Sequence, residues 1–399
     1  MNLQIKFFSS PSLVFICLII GLSHFTATGQ LFWTVDSFAL FTSGEGGYET
    51  YRIPAIIKAA DGSFLAFCEG RKSGRGDAGN IDIVMKRSTD HGANWSELQI
   101  LWDDGDNTCG NPCPVVDRIT GEVFLLLTHN LGHDHEADII KKTSESTRTA
   151  WVMSSKDHGV TWSEPANITS TTKDPSWGWY ATGPGNGIQI IKGPRKGWLI
   201  IPCDHSYDDE NGDVRGGPYE YGSHTIYSSD HGQTWKLGGV IRPKVNECQL
   251  VEIGSREYGN GTLLMNMRSY FGDQRRTQAV SYDGGLSWTE PRSVDELVEP
   301  VCQASLIRHD HMVNQNQSLL FFLNPASTGQ RHNMSIRFSK DYGQTWPYVQ
   351  TIHPGPAAYS SMMALPGQIG TLYEAGVHDP YESIVYHLLG VRNERILDD

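Results

Sequence analysis

The chain's apolar stretches break five times on one polar phrase and resume each time on a tryptophan. The phrase is S-x-D-x-G-x-[TSN]-W, at Ser88–Trp95, Ser155–Trp162, Ser228–Trp235, Ser281–Trp288 and Ser339–Trp346. Ahead of the first copy, Asp82-Ile-Val-Met-Lys-Arg87 reads as a strand. Each phrase predicts a β-hairpin turn. Asp and Ser side chains bond nearby backbone N–H groups. The glycine admits a positive φ, and the tryptophan returns to a packed sheet, its N–H needing one partner. The box serines lie 67, 73, 53 and 58 residues apart, a spacing of the order expected for one propeller blade. Identical turns in successive repeats lie around a rim and cannot converge on one ligand. Asp90, Asp157, Asp230, Asp283 and Asp341 are therefore structural rather than catalytic or metal-binding. Five copies, with chain ends that must close a ring, predict an all-β, six-bladed β-propeller of four-stranded antiparallel blades, the last blade shared by both termini.

Composition changes little in that picture. The 399 residues are 39% hydrophobic with 42 glycines, which fits a large core and much turn. No linker interrupts residues 30–399, so they are expected to form one domain. Residues 1–29 differ. Lys6 precedes the apolar run Ser12–Leu22, and Ala27, Thr28 and Gly29 follow, the pattern of a secretory signal cleaved near Gly29 or Gln30. The run is short for a membrane span of ~20 residues. An uncleaved anchor is the alternative, because no charged side chain occurs from Phe7 to Val35. The expected location is secreted, or another exported compartment (periplasmic or lysosomal), with no stable membrane insertion after cleavage. Cys17 belongs to the leader. Cys68, Cys109, Cys113, Cys203, Cys248 and Cys302 remain, to pair or to stay as buried thiols. Sequons occur at Asn94, Asn167, Asn260, Asn316 and Asn333. A formal net charge of −13 argues against a nucleic-acid partner. It also means that an anionic ligand needs a local cationic pocket.

The chemistry lies between the boxes. Tyr51-Arg52-Ile53-Pro54 is followed by Glu69-Gly70-Arg71 and by Asp77 in a glycine-rich loop. Asn246-Glu247-Cys248-Gln249, Asn266-Met267-Arg268-Ser269, Asn324-Pro325 with Arg331, and Ala358-Tyr359-Ser360 come later. With the five boxes, this set and its order resemble the non-viral exo-sialidases (neuraminidases), six-bladed propellers, from about Leu40 to Glu382. The resemblance implies that Arg52, Arg268 and Arg331 clamp the sialic acid carboxylate, with Arg71 beside the acid/base loop. It implies Asp77 as acid/base, Tyr359 as nucleophile and Glu247 as its partner. Glu374 then orients the first arginine, and Glu136, in His133-Asp134-His135-Glu136, is a pocket carboxylate. Neither a cofactor nor a metal is expected.

Elementary chemistry supports such a set. A guanidinium fork binds carboxylate in two-pronged fashion, which a lysine cannot do. A carboxylate nucleophile would meet repulsion at a carbon that already bears a carboxylate. A neutral phenol avoids it if Glu247 takes the proton. Asp77 must be protonated to help a leaving group, so its pKa is expected to be raised. Arg331 and Arg337 share strand parity; Arg331, eight residues before the box serine, is the expected third arginine. Other signals are weaker. His129, His133 and His135 fit no usual metal spacing. Asp103, Asp104 and Asp106, and the Asp208–Asp213 stretch, resemble calcium loops only loosely. Trp177, Trp179, Tyr180 and Tyr207 either line a sugar pocket or fill the core.

The function implied is a retaining exo-α-sialidase acting on sialylated glycoproteins, glycolipids or oligosaccharides. A trans-sialidase would use the same residues and differ in its acceptor. A silent sialoglycan-binding propeller would tolerate loss of Asp77, Glu247 or Tyr359, and all three are present. A structural propeller without a sugar site is opposed by the arginine set.

Overall fold

Antiparallel strand pairing accounts for nearly all regular structure in the computed structural model, which describes residues 31–254, 258–309 and 319–391. The leader expected over residues 1–29 lies outside the described residues, as does Asn316. Thr50–Lys58, Phe64–Arg71, Ile81–Ser88 and Gln99–Trp102 pair in chain order. So do Thr108–Val116, Val123–Asn130, Thr149–Ser155 and Ala166–Asn167. In the next sheet the innermost strand is split into Tyr180–Thr182 and Ile188–Gln189, against Leu199–Asp208, Tyr219–Ser228 and Lys236–Ile241. Val245–Glu252, Leu263–Ser269, Arg275–Ser281 and Arg292–Val298 form a fourth meander. Ser305–His309, Leu319–Pro325 and His332–Ser339 then lead into the long strand Tyr348–Leu365. The second half of that strand pairs with Gln368–Ala375, which pairs with Ser383–Val391. Ser383–Val391 in turn pairs with Phe32–Thr42, from the other end of the described chain. The fold is all-β with few, short helices, chiefly Glu136–Lys141 and Thr169–Thr172.

Each recurring phrase joins the third strand of a meander to the fourth. In the meander completed by Phe32–Thr42 those two strands come from opposite ends of the chain, so no phrase can bridge them. In the second box Ser155 Oγ donates to Asp157 Oδ1 (2.8 Å) and accepts from the Gly159 N–H (2.8 Å). Asp157 also accepts from the Thr161 N–H (2.8 Å) and the Thr161 hydroxyl (2.6 Å). The same position is Asn94 in the first box, whose side-chain amide donates to Asp90 (2.7 Å). The seventh position is Thr, Ser or Asn because Asp needs a side-chain donor there. Gly232 shows why the fifth position is glycine. Its φ is 81°, and a Cβ would stand 2.1 Å from the Phe124 ring.

The tryptophans depart from expectation in one respect. Trp95 Nε1 donates to the Gly92 carbonyl (3.0 Å), but the indole N–H groups of Trp162, Trp235, Trp288 and Trp346 meet no acceptor. These rings pack among apolar side chains, and burial of the large ring decides their orientation. The cysteines Cys68, Cys109, Cys113, Cys203, Cys248 and Cys302 are buried free thiols.

The core is a series of apolar layers between successive meanders. Leu65 and Phe67 share one with Cys109 and Leu125, and Leu126 shares the next with Leu199 and Ile201. Leu372, Ile384 and Tyr386, near the end of the chain, share a layer with Ile56, Phe64 and Val84, near its start. The innermost strands slip register at one end: between Arg52 and Ala55, Gly110 and Cys113, Val245 and Cys248, and Ala357 and Ser360. Three of these slips turn a polar or aromatic residue out of the ladder (Asn111, Glu247 and Tyr359), and the first leaves out Ile53 and Pro54, next to Arg52.

The boxes carry a pH signature. Hydrogen bonds from Asn94 and Thr161 hold the Asp90 and Asp157 carboxyls at about 2. Their usual value is about 3.9. A depressed folded-state pKa stabilises above the unfolded value and loses that contribution as pH falls through the folded one. The melting temperature is therefore expected to fall between roughly pH 4 and pH 2. Asp157→Asn should flatten that slope, as measured by calorimetry across the window; an unchanged slope would remove the boxes from acid stability.

Candidate active site

The bulged ends of the innermost strands surround a cavity of about 180 Å³. Arg52, Arg71, Asp77, Glu136, Glu247, Arg268, Arg331 and Tyr359 all line it, from widely separated parts of the chain. The remaining expected residue, Glu374, lies directly behind its wall. A larger cavity of about 590 Å³ lies toward the opposite ends of the same strands, among Ile56, Val115, Leu250, Leu306 and Met362. Glu252, Arg118 and Arg308 also line the larger one, but of the two only the smaller brings a phenol together with several carboxylates and guanidinium groups.

Glu374, fully buried on Gln368–Ala375, organises one wall. Its Oε1 accepts from Arg52 Nε (3.1 Å) and from the Ile53 N–H (2.9 Å). Its Oε2 accepts from the Tyr359 N–H (3.0 Å). Ile53 holds φ at 60°, unfavourable for a β-branched residue, and Pro54 follows it. The carboxylate thus fixes both bulges and aims the Arg52 guanidinium into the cavity. Burial opposes the charge of Arg52, but Glu374, Tyr381, Asp77 and Tyr359 together outweigh it and raise its pKa.

Tyr359 and Glu247 form the centre. The Tyr359 hydroxyl donates to Glu247 Oε1 (2.5 Å), and Arg268 Nη1 donates to Glu247 Oε2 (2.7 Å). Arg268 Nη1 also lies 3.4 Å from the Tyr359 hydroxyl. The Arg52 and Arg331 guanidinium carbons stand 5.0 and 5.4 Å from the Tyr359 ring centroid. Burial, then the Glu247 charge, push the phenol well above its usual pKa, against the pull of Arg268, Arg331 and Arg52. Tyr359 is therefore neutral at rest, with its proton already shared with a carboxylate.

Asp77 departs from expectation. Its side chain is 59% exposed to the cavity, and its Oδ1 pairs with Arg71 Nη1 (2.8 Å) and Arg52 Nη1 (3.4 Å). Partial burial raises its pKa, but Arg71 and Arg52 pull harder and leave it at about 2. The expected raised pKa is absent because two guanidinium groups stand against this carboxylate. Arg71 is itself held by Glu69 (2.6 Å) and by the carbonyls of Arg75 and Gly76, which shapes the Asp77 loop.

Several pocket residues had no clear signal in the sequence. Arg148 is buried, donates to Thr128, Asn130 and Asn111, and lies 4.2 Å from the Trp179 ring centroid. Asp204 is buried and accepts from the Asn246 side-chain amide (3.0 Å); burial, then Glu247 and Glu136, push its carboxyl well above the usual range. Glu136 accepts from the Tyr221 hydroxyl (2.6 Å) and pairs with Arg215, on the loop ahead of that strand. Of the four aromatics in question, Trp179 lines the cavity, whereas Trp177, Tyr180 and Tyr207 belong to a core layer. Arg337 lies in the strand His332–Ser339, away from the cavity that Arg331 lines. His129 and His133 pair with Asp104 (2.7 Å) and Glu145 (2.9 Å). Among the described residues no His, Cys, Asp and Glu cluster could hold a metal, and no helix is long and apolar enough to cross a membrane.

Comparison with known proteins agrees with this architecture. A family model described as a BNR repeat-like domain matches residues 62–373. A sialidase of Micromonospora viridifaciens is 33% identical over 374 residues, 91% of this chain and 55% of that protein. The chain belongs to the non-viral sialidase family. Sialidase-2 of Mus musculus is 28% identical over 85% of this chain and 92% of its own length. A solved Hadza microbial sialidase superposes with a TM-score of 0.75 at 30% identity, over 88% of this chain and 68% of that one. The chain spans little more than half the length of the Micromonospora sialidase.

In this sialidase-family site, Glu374→Gln is the informative change at the wall. A glutamine keeps the shape but points an NH₂ at a donor and leaves the buried Arg52 without its carboxylate. Breaking a buried pair in this way costs ~3–5 kcal/mol. Urea unfolding should report a loss of that size, and a loss below ~1 kcal/mol would show that the three contacts are not structural.

Proposed function

We propose that this chain is a retaining exo-α-sialidase that hydrolyses terminal sialic acids from glycoproteins, glycolipids and oligosaccharides. We further propose that its meanders form a closed six-bladed propeller. The apolar layer shared by Ile56, Phe64, Leu372 and Ile384 supports closure, since it leaves no open edge between the last meander and the first. The observation that carries the activity is the Tyr359–Glu247 hydrogen bond set among Arg52, Arg268 and Arg331.

The substrate carboxylate would dock on the open faces of Arg52, Arg268 and Arg331, bringing the anomeric carbon over the Tyr359 hydroxyl. The phenolic oxygen attacks that carbon as its proton passes to Glu247, and the glycosidic C–O bond breaks as Asp77 protonates the departing oxygen. Asp77, now a carboxylate, takes a proton from water. The water oxygen bonds to the anomeric carbon, the bond to Tyr359 breaks, and Glu247 returns the proton. Two inversions retain the α configuration. Tyrosine nucleophiles are a recognised exception, among sialidases, to the two-carboxylate rule. The low pKa of Asp77 fits this scheme if ligand binding releases it. A carboxylate engaging Arg52 weakens one of the pulls that hold Asp77 down and adds a like charge nearby, so both changes raise the pKa. A trans-sialidase remains the alternative, differing only in what enters after the first leaving group.

Hydrolysis of a fluorogenic sialoside, with mass analysis of the released sugar, tests the reading. Free sialic acid supports it; an anhydro or transferred product supports the alternative; no turnover refutes both. The roles separate further. Asp77→Asn should slow natural sialosides by ~10²-fold or more and aryl sialosides much less, because good leaving groups depart without a proton. Tyr359→Phe should slow both, and a fluorinated sialosyl trap should label Tyr359 in the unaltered chain. Labelling of Glu247 instead would reverse the assignment.

A further inference from the structure

Tyr381 belongs to none of the sequence signals above, yet it touches two arms of the arginine set. Its hydroxyl accepts from Arg331 Nη1 (2.7 Å), and the Arg52 guanidinium lies over its ring, 4.3 Å from the centroid. Its ring also packs against the apolar cluster of Ile53, Ala358 and Tyr359. The turn that presents it is held from within. Glu382 accepts from the N–H groups of Val377 (3.0 Å), His378 (2.7 Å) and Asp379 (2.9 Å). Asp379 Oδ1 accepts from the Tyr381 N–H (2.9 Å), and Ser43 Oγ donates to the Tyr381 carbonyl (2.7 Å). The turn is also tied to the acid loop: Asp379 Oδ2 pairs with Arg75 Nη1 (2.6 Å), two residues before Asp77.

We propose that Tyr381 is a positioning residue of the carboxylate site, holding Arg52 on its ring face and Arg331 on its hydroxyl. The inference rests on the sialidase reading and deepens it. Arg52 and Arg331 carry like charges and face one ligand, so left alone they would splay apart. An aromatic face attracts a guanidinium, and a phenolic oxygen accepts from another without adding a formal charge. A carboxylate in the same place would neutralise the cations and compete with the ligand. Tyr381 therefore preorganises the pair while leaving its positive charge available. Through Arg75 and Asp379 the same turn sets the distance between the arginines and the Asp77 loop.

The test compares two probes on the unaltered chain, Tyr381→Phe and Tyr381→Leu: 2,3-didehydro-2-deoxy-N-acetylneuraminic acid and its methyl ester. The acid presents the carboxylate and the ester does not. Tyr381→Phe, which removes only the hydrogen bond to Arg331, should weaken the acid by about tenfold. Tyr381→Leu, which also removes the ring face, should weaken it by a further ~3- to 10-fold. The ester should bind all three proteins alike, and KM for a sialoside should rise more than kcat falls. Equal weakening of acid and ester would make Tyr381 a general packing residue and overturn the proposal, as would unchanged acid affinity in both variants. Asp379→Asn loosens the turn without touching either arginine and should weaken the acid selectively to a smaller degree; no effect there would remove the coupling to the acid loop. If the unaltered chain does not prefer the acid to the ester, the carboxylate site itself fails, a result distinct from any failure of Tyr381.

Discussion

The buried carboxylate of Glu374 is the contact on which the site's geometry depends. One side chain receives a guanidinium and two backbone N–H groups, and these come from the innermost strands of the first and last meanders. Those strands meet because Phe32–Thr42 completes the sheet that ends the described chain. Were the ends to separate, Arg52 would lose its orientation and Tyr359 its place together. The same device recurs one meander on. Glu69 accepts from the Asn111 N–H (2.8 Å) and from the Arg71 guanidinium. Asn111, like Ile53, holds a positive φ beside a register slip and is followed by proline. In both cases a buried glutamate supplies the acceptor that the slipped ladder no longer provides.

This explains which parts could be read from the sequence. The turns between third and fourth strands were legible because Ser, Asp, Gly and the donor at the seventh position all act within eight residues. Local chemistry leaves a local pattern. The arginines and Tyr359 were legible only as a set that resembles a family, since nothing near Arg268 in the chain says that Tyr359 will stand 3.4 Å away. Asp204, Arg215 and Tyr381 left no pattern because each meets its partners across meanders, and Arg148 because Asn130, Thr128 and Asn111 lie 18 to 37 residues away on neighbouring strands. Pro54 and Pro112 were the available hints of bulges, since proline cannot donate to a central ladder. The expected partners for the indole N–H groups failed for the opposite reason: apolar packing, which no short motif encodes, fixes the rings.

Charge illustrates how a site can oppose the whole molecule. The chain carries a net −13, yet six arginines line the cavity: Arg52, Arg71, Arg148, Arg215, Arg268 and Arg331. Five carboxyl groups line it too: Glu69, Asp77, Glu136, Asp204 and Glu247. On a plain count the cavity is barely positive. Two features tip it. Asp204 is pushed toward its neutral form by burial and its carboxylate neighbours. Arg148 donates to Thr128, Asn130 and Asn111, and Arg331 to the Tyr381 hydroxyl, so among the described residues these two guanidinium groups hydrogen-bond neutral partners rather than carboxylates. Under the proposed function an anion would be attracted by such local donors rather than by the net charge of the chain.

Asp77 shows how recognition and proton transfer could be coupled under the proposed mechanism. It completes the pairing of Arg71 and Arg52, and they hold it ionised, with a pKa of about 2. An ionised carboxylate cannot donate a proton, so under the proposed mechanism the resting chain has no acid ready. Arg52 would link the two roles, since it lies against Asp77 and lines the cavity in which the carboxylate is proposed to dock. Engagement of Arg52 by that ligand weakens one of the two attractions and sets a second negative charge nearby, which favours the protonated form of Asp77. Arg71, gripped by Glu69 and by the carbonyls of Arg75 and Gly76, ties the Asp77 loop to its strand. Under the proposed mechanism the acid would be produced by the same contact that recognises the substrate. A sugar lacking the carboxylate would lose its anchorage and would also leave Asp77 in the wrong state of protonation, so selectivity and catalysis would share one cause.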